Sequence, residues 1–492
     1  MYQSMKYSLE LVVFLCGASI MILELVGSRL LAPFVGTSIV VWTSLIGIVL
    51  AALSIGYSYG GRLADKKPSF KLLSWIIFIA SLFICGISAI KLILFAVLEG
   101  NSLDHGTQSV IISIILFGFP SILLGMVSPF AAKLKTESVQ KVGGTIGNLY
   151  ALSTVGSIAG TFLSGFYLIA IFPISQIIVG IAFVLFICSL LLYRHPAKEL
   201  LIKLAILVAL LTISFFIEDL FTPRDGLTIN TQYNNVSIYE TLFYQNQRPI
   251  RVMSLDGKLD SAMYLDSEDL VFDYTKYYRL ASVYNSDLKK VLVVGGAGYS
   301  VPKDFLSRGV AVDVVEIDPA LTELAKKYFN LQPTYYNLLT IYHEDGRTFL
   351  NRQTAQQYDA IMLDAFKSYS IPYQLTTLEA LAQMKRLLKP NGVLLANIIS
   401  SVEGDTGQFL QWEYQTFKHH FPEVDLYLVN APGSGTAIQN LMIVASNNPA
   451  SQSVNPEIKD YQEHKWQQVI PKEQILTDDY APVDQLMLPT ML

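Results

Sequence analysis

Four acidic residues of the C-terminal half stand where apolar runs end, and a glycine cluster precedes them all. Residues 291–294, Val-Leu-Val-Val, are the kind of run that forms a strand buried on both faces, and Gly295-Gly296-Ala297-Gly298 follows at once. A second run, 311–315, leads into Glu316-Ile317-Asp318-Pro319. A third, 339–342, leads into His343-Glu344-Asp345-Gly346, and a fourth, 358–363, into Asp364. Glycines after a strand let the backbone approach a ligand closely, and an acid about 20 residues on accepts both hydroxyls of a ribose. Gly295, Gly296, Gly298, Glu316 and Asp318 have that order, Asp345 with Gly346 is placed to receive the exocyclic amine of adenine, and Asp364 completes the row.

These residues need a sheet to bring them together. The alternation of strand, glycine turn, helix, strand and acid predicts a doubly wound α/β domain over 289–492, with its ligand crevice beyond the carboxyl ends of the strands. Residues 301–308 read as the helix after the glycine turn, Pro319 opens the next helix, and Lys389-Pro390-Asn391-Gly392 reads as a turn before a fifth strand. No GxxxxGK[ST] is present, which excludes a P-loop nucleotidase. Ahead of this domain, 236–240 and 250–255 alternate like strands and Asp256-Gly257 is a hairpin turn, so 222–288 is expected to be a small β subdomain.

The first 221 residues are of another kind. Charged residues are 15% of the whole chain, and between residues 9 and 221 they are sparse and clustered. Seven apolar stretches, about 8–33, 39–60, 72–97, 109–132, 147–169, 174–193 and 203–219, are each long enough to cross roughly 30 Å of hydrocarbon, so a multi-span helical domain in a lipid bilayer is expected. Arg62, Lys66, Lys67 and Lys71 follow span two, Lys133, Lys135 and Lys141 span four, and Arg194, Lys198 and Lys203 span six. The alternate connections, 36–39, 98–107 and Pro173, carry neither Lys nor Arg, which puts the N-terminus in the cytoplasm of a cell (inner) membrane protein. A true seventh span would then carry the C-terminal half outside, whereas an interfacial one would keep it in; both stay open.

Glu24 and Arg29 fall inside the first span, where ionisable groups are costly unless paired or facing a polar cavity, so they form either a functional site or a structural pair. Glycines 143, 144, 147, 156, 160 and 165 suggest close helix packing around span five. No cleavable signal peptide is expected, since the first apolar run contains Glu24 and Arg29. Cys16, Cys85 and Cys188 all lie in apolar runs, so neither a disulfide framework nor a CxxC metal site is expected; the few histidines lack ligand spacing, and no metal is expected. A net charge of −5 without a basic stripe argues against nucleic acid as a partner.

The C-terminal half resembles the class I S-adenosylmethionine-dependent methyltransferase fold, and within it the spermidine synthases, the polyamine aminopropyltransferases. The resemblance covers roughly 228–428: Leu255-Asp256-Gly257 is similar to the family's LDG turn, Gly295-Gly296-Ala297-Gly298 to its glycine loop, Val315-Glu316-Ile317-Asp318 to its VEID, Asp345-Gly346 to its DG, and 358–364 to the strand that delivers its catalytic aspartate. The membrane half ahead of it resembles the bacterial membrane-fused branch. The resemblance implies decarboxylated S-adenosylmethionine as co-substrate, a small-molecule amine as acceptor, Asp364 as base, Glu316 on the ribose and Asp345 on the adenine. Dimers are common among the soluble relatives, so a homodimer is a possible partner state.

This chain departs from the family where the amine binds. The family's Asp-Ser-Ser-Asp loop reads Asp364-Ala365-Phe366-Lys367, a Tyr-Gln pair becomes Tyr233-Asn234, and Asp260 replaces a glutamine. Tyr233, Asp260 and Tyr274 are the expected substrate residues, and the acidic stretch Thr477-Asp478-Asp479-Tyr480 is a further candidate for the amine side. Two other functions fit the same residues: a methyltransferase acting on a small or lipid-borne nucleophile, and a non-catalytic polyamine sensor linked to transport.

Overall fold

The computed structural model describes residues 2–36, 38–98, 105–136, 142–193, 195–221, 226–366, 371–450, 456–467, 469 and 472–491. They form two compact units, Met1–Arg224 with Ile229–Gln232, and Asp225–Thr228 with Tyr233–Leu492.

Among the described residues, the first unit holds seven helices long and apolar enough to cross a membrane: Ser8–Val35, Ile39–Lys66, Phe70–Leu98, Gly106–Lys135, Val142–Leu168, Ile174–Leu191 and Ala197–Ile217. In finer detail these are α1 (Tyr2–Val35), α2 (Ile39–Lys66) and α3 (Phe70–Leu98); then α4 (His105–Ser113), a π turn (Ile114–Gly118), α5 (Phe119–Gly125) and α6 (Val127–Lys135). The fifth comprises α7 (Val142–Leu163), a second π turn (Ser164–Leu168) and α8 (Ile169–Ile171), and α9 (Ile174–Leu191) and α10 (Ala197–Phe221) complete the unit.

Small residues set how closely these helices pack. A Cβ on Gly156 would stand 2.1 Å from the Phe14 carbonyl oxygen and one on Gly160 2.5 Å from that of Ala18, so only glycine lets α7 lie this close to α1. Charges are paired near helix ends, Lys133 with Asp65 at 2.7 Å and Lys135 with Glu10. Lys203, fully buried on α10, donates to Ser74 Oγ at 2.8 Å and lies 4.8 Å from the centre of the Trp75 ring, which spares an enclosed ammonium the cost of having no partner.

The second unit opens with a sheet of β1 (Gly226–Asn230), β2 (Asn235–Leu242), β3 (Pro249–Leu255) and β4 (Lys258–Tyr264) in that spatial order. Asp256 and Gly257 both take positive φ, 51° and 76°, the geometry of a two-residue type I′ hairpin turn between β3 and β4. Two short helices, α11 (Asp273–Tyr277) and α12 (Ala281–Tyr284), lead to the larger sheet.

That sheet has seven strands: β5 (Lys290–Val294), β6 (Ala311–Val315), β7 (Leu339–Tyr342), β8 (Tyr358–Leu363), β9 (Leu388–Ser400), β10 (Glu423–Leu428) and β11 (Gln439–Ser446). Their order is β10-β11-β9-β8-β5-β6-β7, with β11 antiparallel to both neighbours, which is the Rossmann-like methyltransferase arrangement. The helices α13 (Ser300–Ser307), α14 (Pro319–Tyr328), α15 (Gly346–Arg352), α16 (Leu378–Leu387) and α17 (Gln408–His420) connect the strands, and α18 (Pro456–Glu463) and α19 (Val483–Met487) follow β11.

The helix expected at 301–308 begins one residue earlier, at Ser300, and ends at Ser307. The turn expected at Lys389-Pro390-Asn391-Gly392 sits inside a strand: Leu388 pairs with Tyr358 and Val393 with Ala360, so the four residues between bulge out of β9. Chain order reverses across β5, whose neighbours are β6 and β8, and the crevice beyond its carboxyl end is where such sheets bind ligands.

Candidate active site

β5 and its neighbours deliver the candidate residues to one end of the sheet. Past β5 the amide of Gly295 donates to the Val315 carbonyl (2.9 Å), and the amide of Asp364 donates to that of Val294 (2.9 Å), so the ends of three strands are tied together. Gly295 takes φ +99°, and a Cβ there would lie 2.4 Å from the Asp364 carbonyl oxygen; both facts require glycine. At Gly298 a Cβ would strike Ser261 at 2.6 Å. The Gly298 amide instead donates to Ser261 Oγ (3.1 Å), which in turn donates to Asp260 (3.1 Å), linking the glycine loop to β4.

Glu316, 5% exposed, accepts from the amides of Gly296 (2.8 Å), Ala297 (3.1 Å) and Asp318 (2.9 Å). A carboxylate offers about four lone-pair sites, so one remains for a ribose hydroxyl. Asp318 points elsewhere. At 1% exposure it caps α14 through the Ala320 amide (3.1 Å) and accepts from Asn234 Nδ2 (2.9 Å). Asp345 caps α15 by accepting at Oδ1 from the Thr348 amide (2.9 Å), and Gly346 packs its bare Cα against Val294, where a Cβ would lie 2.9 Å from the side chain.

Asp260, Tyr274, Gly296 and Asp364 line one pocket, with Ser261, Phe272, Thr275, Ser300 and Pro302 among its other walls. Burial, and then the charge of Asp260, push the Asp364 carboxyl up to about 7 against the pull of a hydrogen bond from Tyr278. Tyr278 Oη is shared between the Leu363 carbonyl (2.7 Å) and Asp364 Oδ1 (3.2 Å). Burial and the charges of Asp364 and Asp260 raise Tyr274 well above the usual phenol range, so its hydroxyl keeps its proton and can donate. A half-buried carboxylate poised near neutrality in an acid-lined pocket can hold a cationic amine and take a proton from it.

Other candidates fall outside this pocket. Tyr233 is 38% exposed and is not among the lining residues. Asp478, expected as extra negative charge for an amine, is held by Arg347 (2.6 and 3.0 Å) and Thr377 (2.6 Å), which keeps its carboxyl below the usual range. Lys367 lies outside the described residues. Tyr278 and Ser261 were missed in the sequence, although Tyr274 and Tyr278 stand one helical turn apart, a spacing that presents two hydroxyls on one side. Among the described residues no group of three His, Cys, Asp or Glu is arranged to hold a metal.

Residues 278–455 match the family model of the spermine/spermidine synthase domain. The chain carries a spermine/spermidine synthase domain. The polyamine aminopropyltransferase of Vibrio vulnificus is 27% identical over 276 residues, covering 51% of this chain and 89% of that protein. Polyamine aminopropyltransferase 1 of Streptomyces coelicolor is 23% identical over 416 residues, covering 79% of this chain and 75% of its own, so this similarity reaches beyond the synthase domain into the unit of long apolar helices. Among solved structures, a probable spermidine synthase from Corynebacterium glutamicum is 19% identical with a TM-score of 0.42, over 49% of this chain and 87% of that one.

Proposed function

We propose that the synthase domain transfers an aminopropyl group from decarboxylated S-adenosylmethionine to a diamine or polyamine. The observation that carries this reading is the pocket that joins Asp364, near neutrality, to Asp260, Tyr274 and the glycine loop. The residues fit a nucleoside co-substrate: Glu316 retains a lone pair at the loop, and Asp345 lies at the end of the next strand. When bound, that co-substrate supplies a carbon activated by a sulfonium leaving group. Asp364 accepts the amine's proton as the new C–N bond forms and the C–S bond breaks, with the bonding pair staying on sulfur. Asp260 and Tyr274 hold the amine in line, which is the larger part of the work when the leaving group is already good.

The test is turnover by the purified full-length protein, given putrescine or spermidine with either decarboxylated or intact S-adenosylmethionine. Aminopropylated amine together with methylthioadenosine, read by mass spectrometry, is the expected result. S-adenosylhomocysteine in its place would replace this reading with a methyltransferase.

For the membrane half, α10 supports a true seventh crossing. Glu199 lies 3.4 Å from Lys71 and Lys203 binds Ser74, so α10 starts beside the start of α3 and runs parallel to it. Its 25 residues are about 37 Å long at 1.5 Å per residue, enough to reach the opposite side. With the Lys- and Arg-rich ends in the cytoplasm, residue 221 emerges outside it. Single cysteines placed at exposed synthase positions, in a background without Cys16, Cys85 and Cys188, should then react in intact cells with a membrane-impermeant maleimide. Labelling only after lysis would put the domain in the cytoplasm.

A further inference from the structure

The membrane unit holds a carboxyl group that its packing leaves unused. Glu24 lies well inside α1, and among the described residues it makes no hydrogen bond or ion pair; Arg29 is not its partner and instead donates to the Gln232 carbonyl. A carboxylate in hydrocarbon is costly unless a cation or a polar cavity meets it.

The packing around Glu24 is irregular in a particular way. Phe14 meets Gly156 and Ala18 meets Gly160, four residues on in each helix, so α1 and α7 run parallel and in step. One further turn brings Ile22 level with Ser164, and the next residues of α1, Glu24 among them, level with the π turn Ser164–Leu168. Gly17, two turns before Glu24 and on nearly the same face, is pressed against Ser153 of α7, so Glu24 borders the α1–α7 seam. On the other flank, Gly27 abuts the Phe117 ring, where a Cβ would stand at 3.0 Å, and Phe117 belongs to the π turn Ile114–Gly118. Both π turns of the described membrane helices therefore pack on the stretch of α1 that contains Glu24.

A π turn widens the helix and disturbs its regular carbonyl pairing, and such turns occur often at functional sites. Ser164, where the second one begins, is fully buried and its hydroxyl has no partner. We propose that Glu24, with the Ser164 hydroxyl and the π-turn backbone beside it, binds a monovalent cation within the membrane, either an alkali ion or the ammonium end of an amine. One carboxylate and neutral oxygens balance a single positive charge; a divalent ion would call for further carboxylates, and no such cluster exists among the described residues.

The test uses the full-length protein in lipid nanodiscs and dicyclohexylcarbodiimide, which modifies carboxyl groups in apolar surroundings, with the Glu24 peptide followed by mass spectrometry. Choline chloride holds ionic strength constant while NaCl, KCl or butylammonium chloride replaces it. The bound cation should slow modification saturably, by about ten-fold at ten times its dissociation constant. Protection by sodium or potassium alone identifies an alkali site, and protection by butylammonium an amine site. Ser164→Ala should leave Glu24 reactive but weaken protection several-fold, with Glu24→Gln as the unmodified control. Absence of modification at Glu24, modification indifferent to all three cations, or protection unchanged in Ser164→Ala would overturn the proposal.

Discussion

Asp364 and Glu413 are carboxyl groups of the same domain, and both hold a proton more tightly than a carboxyl in water, but their surroundings differ in kind. Asp364 stands at the end of β8 with a second acid across its pocket and the Tyr278 hydroxyl on one oxygen, and its carboxyl is raised to about 7. Glu413 is fully buried on α17, among the apolar side chains Phe409, Leu410 and Phe417 of the same helix, with neither oxygen hydrogen-bonded; burial alone raises it well above the usual carboxylate range. A tightly held proton is thus no mark of function by itself. What separates the two is access: one group faces a pocket lined by further polar groups, and the other is enclosed without a hydrogen-bond partner.

The largest effect should come from removing the reactive member of the pair. Asp364→Asn is expected to lower turnover by about 10²–10⁴-fold, the usual worth of a positioned base, while the far-UV circular dichroism of the protein stays unchanged. In the unmodified protein, turnover should rise with pH through about 7 as Asp364 ionises, and this acid limb should be missing from the residual activity of the variant. An unaltered limb would assign the proton transfer to another group and erase the functional half of the contrast.

Glu413→Leu should do the reverse, changing stability and sparing chemistry. Replacing a buried carboxyl without partners by an apolar side chain of similar size should stabilise the protein by about 1–3 kcal/mol, read as a higher unfolding midpoint, with turnover nearly unchanged. The pH dependence has a definite sign. Because the folded-state pKa is raised, the protonated group's contribution is fully present below the unfolded value, near 4.5, and is lost as pH rises toward the folded one. The stability of the unmodified protein should therefore fall across that range relative to Glu413→Leu. Parallel curves would mean that Glu413 has a partner in solution.

The row of strand ends could be read from the chain because each strand is an unbroken apolar run and each chemical residue sits just past it: Gly295, Glu316, Asp345 and Asp364 need only local pattern. How those residues share their hydrogen bonds could not be read. Asp318 shares the motif of Glu316, yet it is bonded to Asn234, 84 residues away, and Asp478 is held by Arg347, 131 residues away. Seven helices long and apolar enough to cross a membrane were evident from hydropathy, but the two π turns are not, since an extra residue in a helical turn leaves composition unchanged. Glu413 escaped notice for the opposite reason: a single acid within a helical pattern reads as a solvent-facing residue, and only the packed structure shows that it is fully buried.

The smallest effect tests what distinguishes Asp364 most finely, its second acid. Burial is the main cause of the raised Asp364 carboxyl and the charge of Asp260 comes next, so Asp260→Asn should leave the larger cause in place and remove the lesser. The acid limb of turnover should then move to lower pH by less than about one pH unit. The same substitution removes a negative charge from the pocket proposed for the amine, so the amine's KM should rise while the KM for the nucleoside co-substrate, proposed to bind at Glu316 and Asp345, holds steady. The two readouts separate the roles: a moved limb with an unchanged amine KM would make Asp260 a tuner of the base only, and a raised KM with an unmoved limb would make it a contact for the substrate alone. If neither changed, burial would account for Asp364 as fully as it does for Glu413, and the difference between the two carboxyls would rest on Tyr278, Tyr274 and access to the pocket.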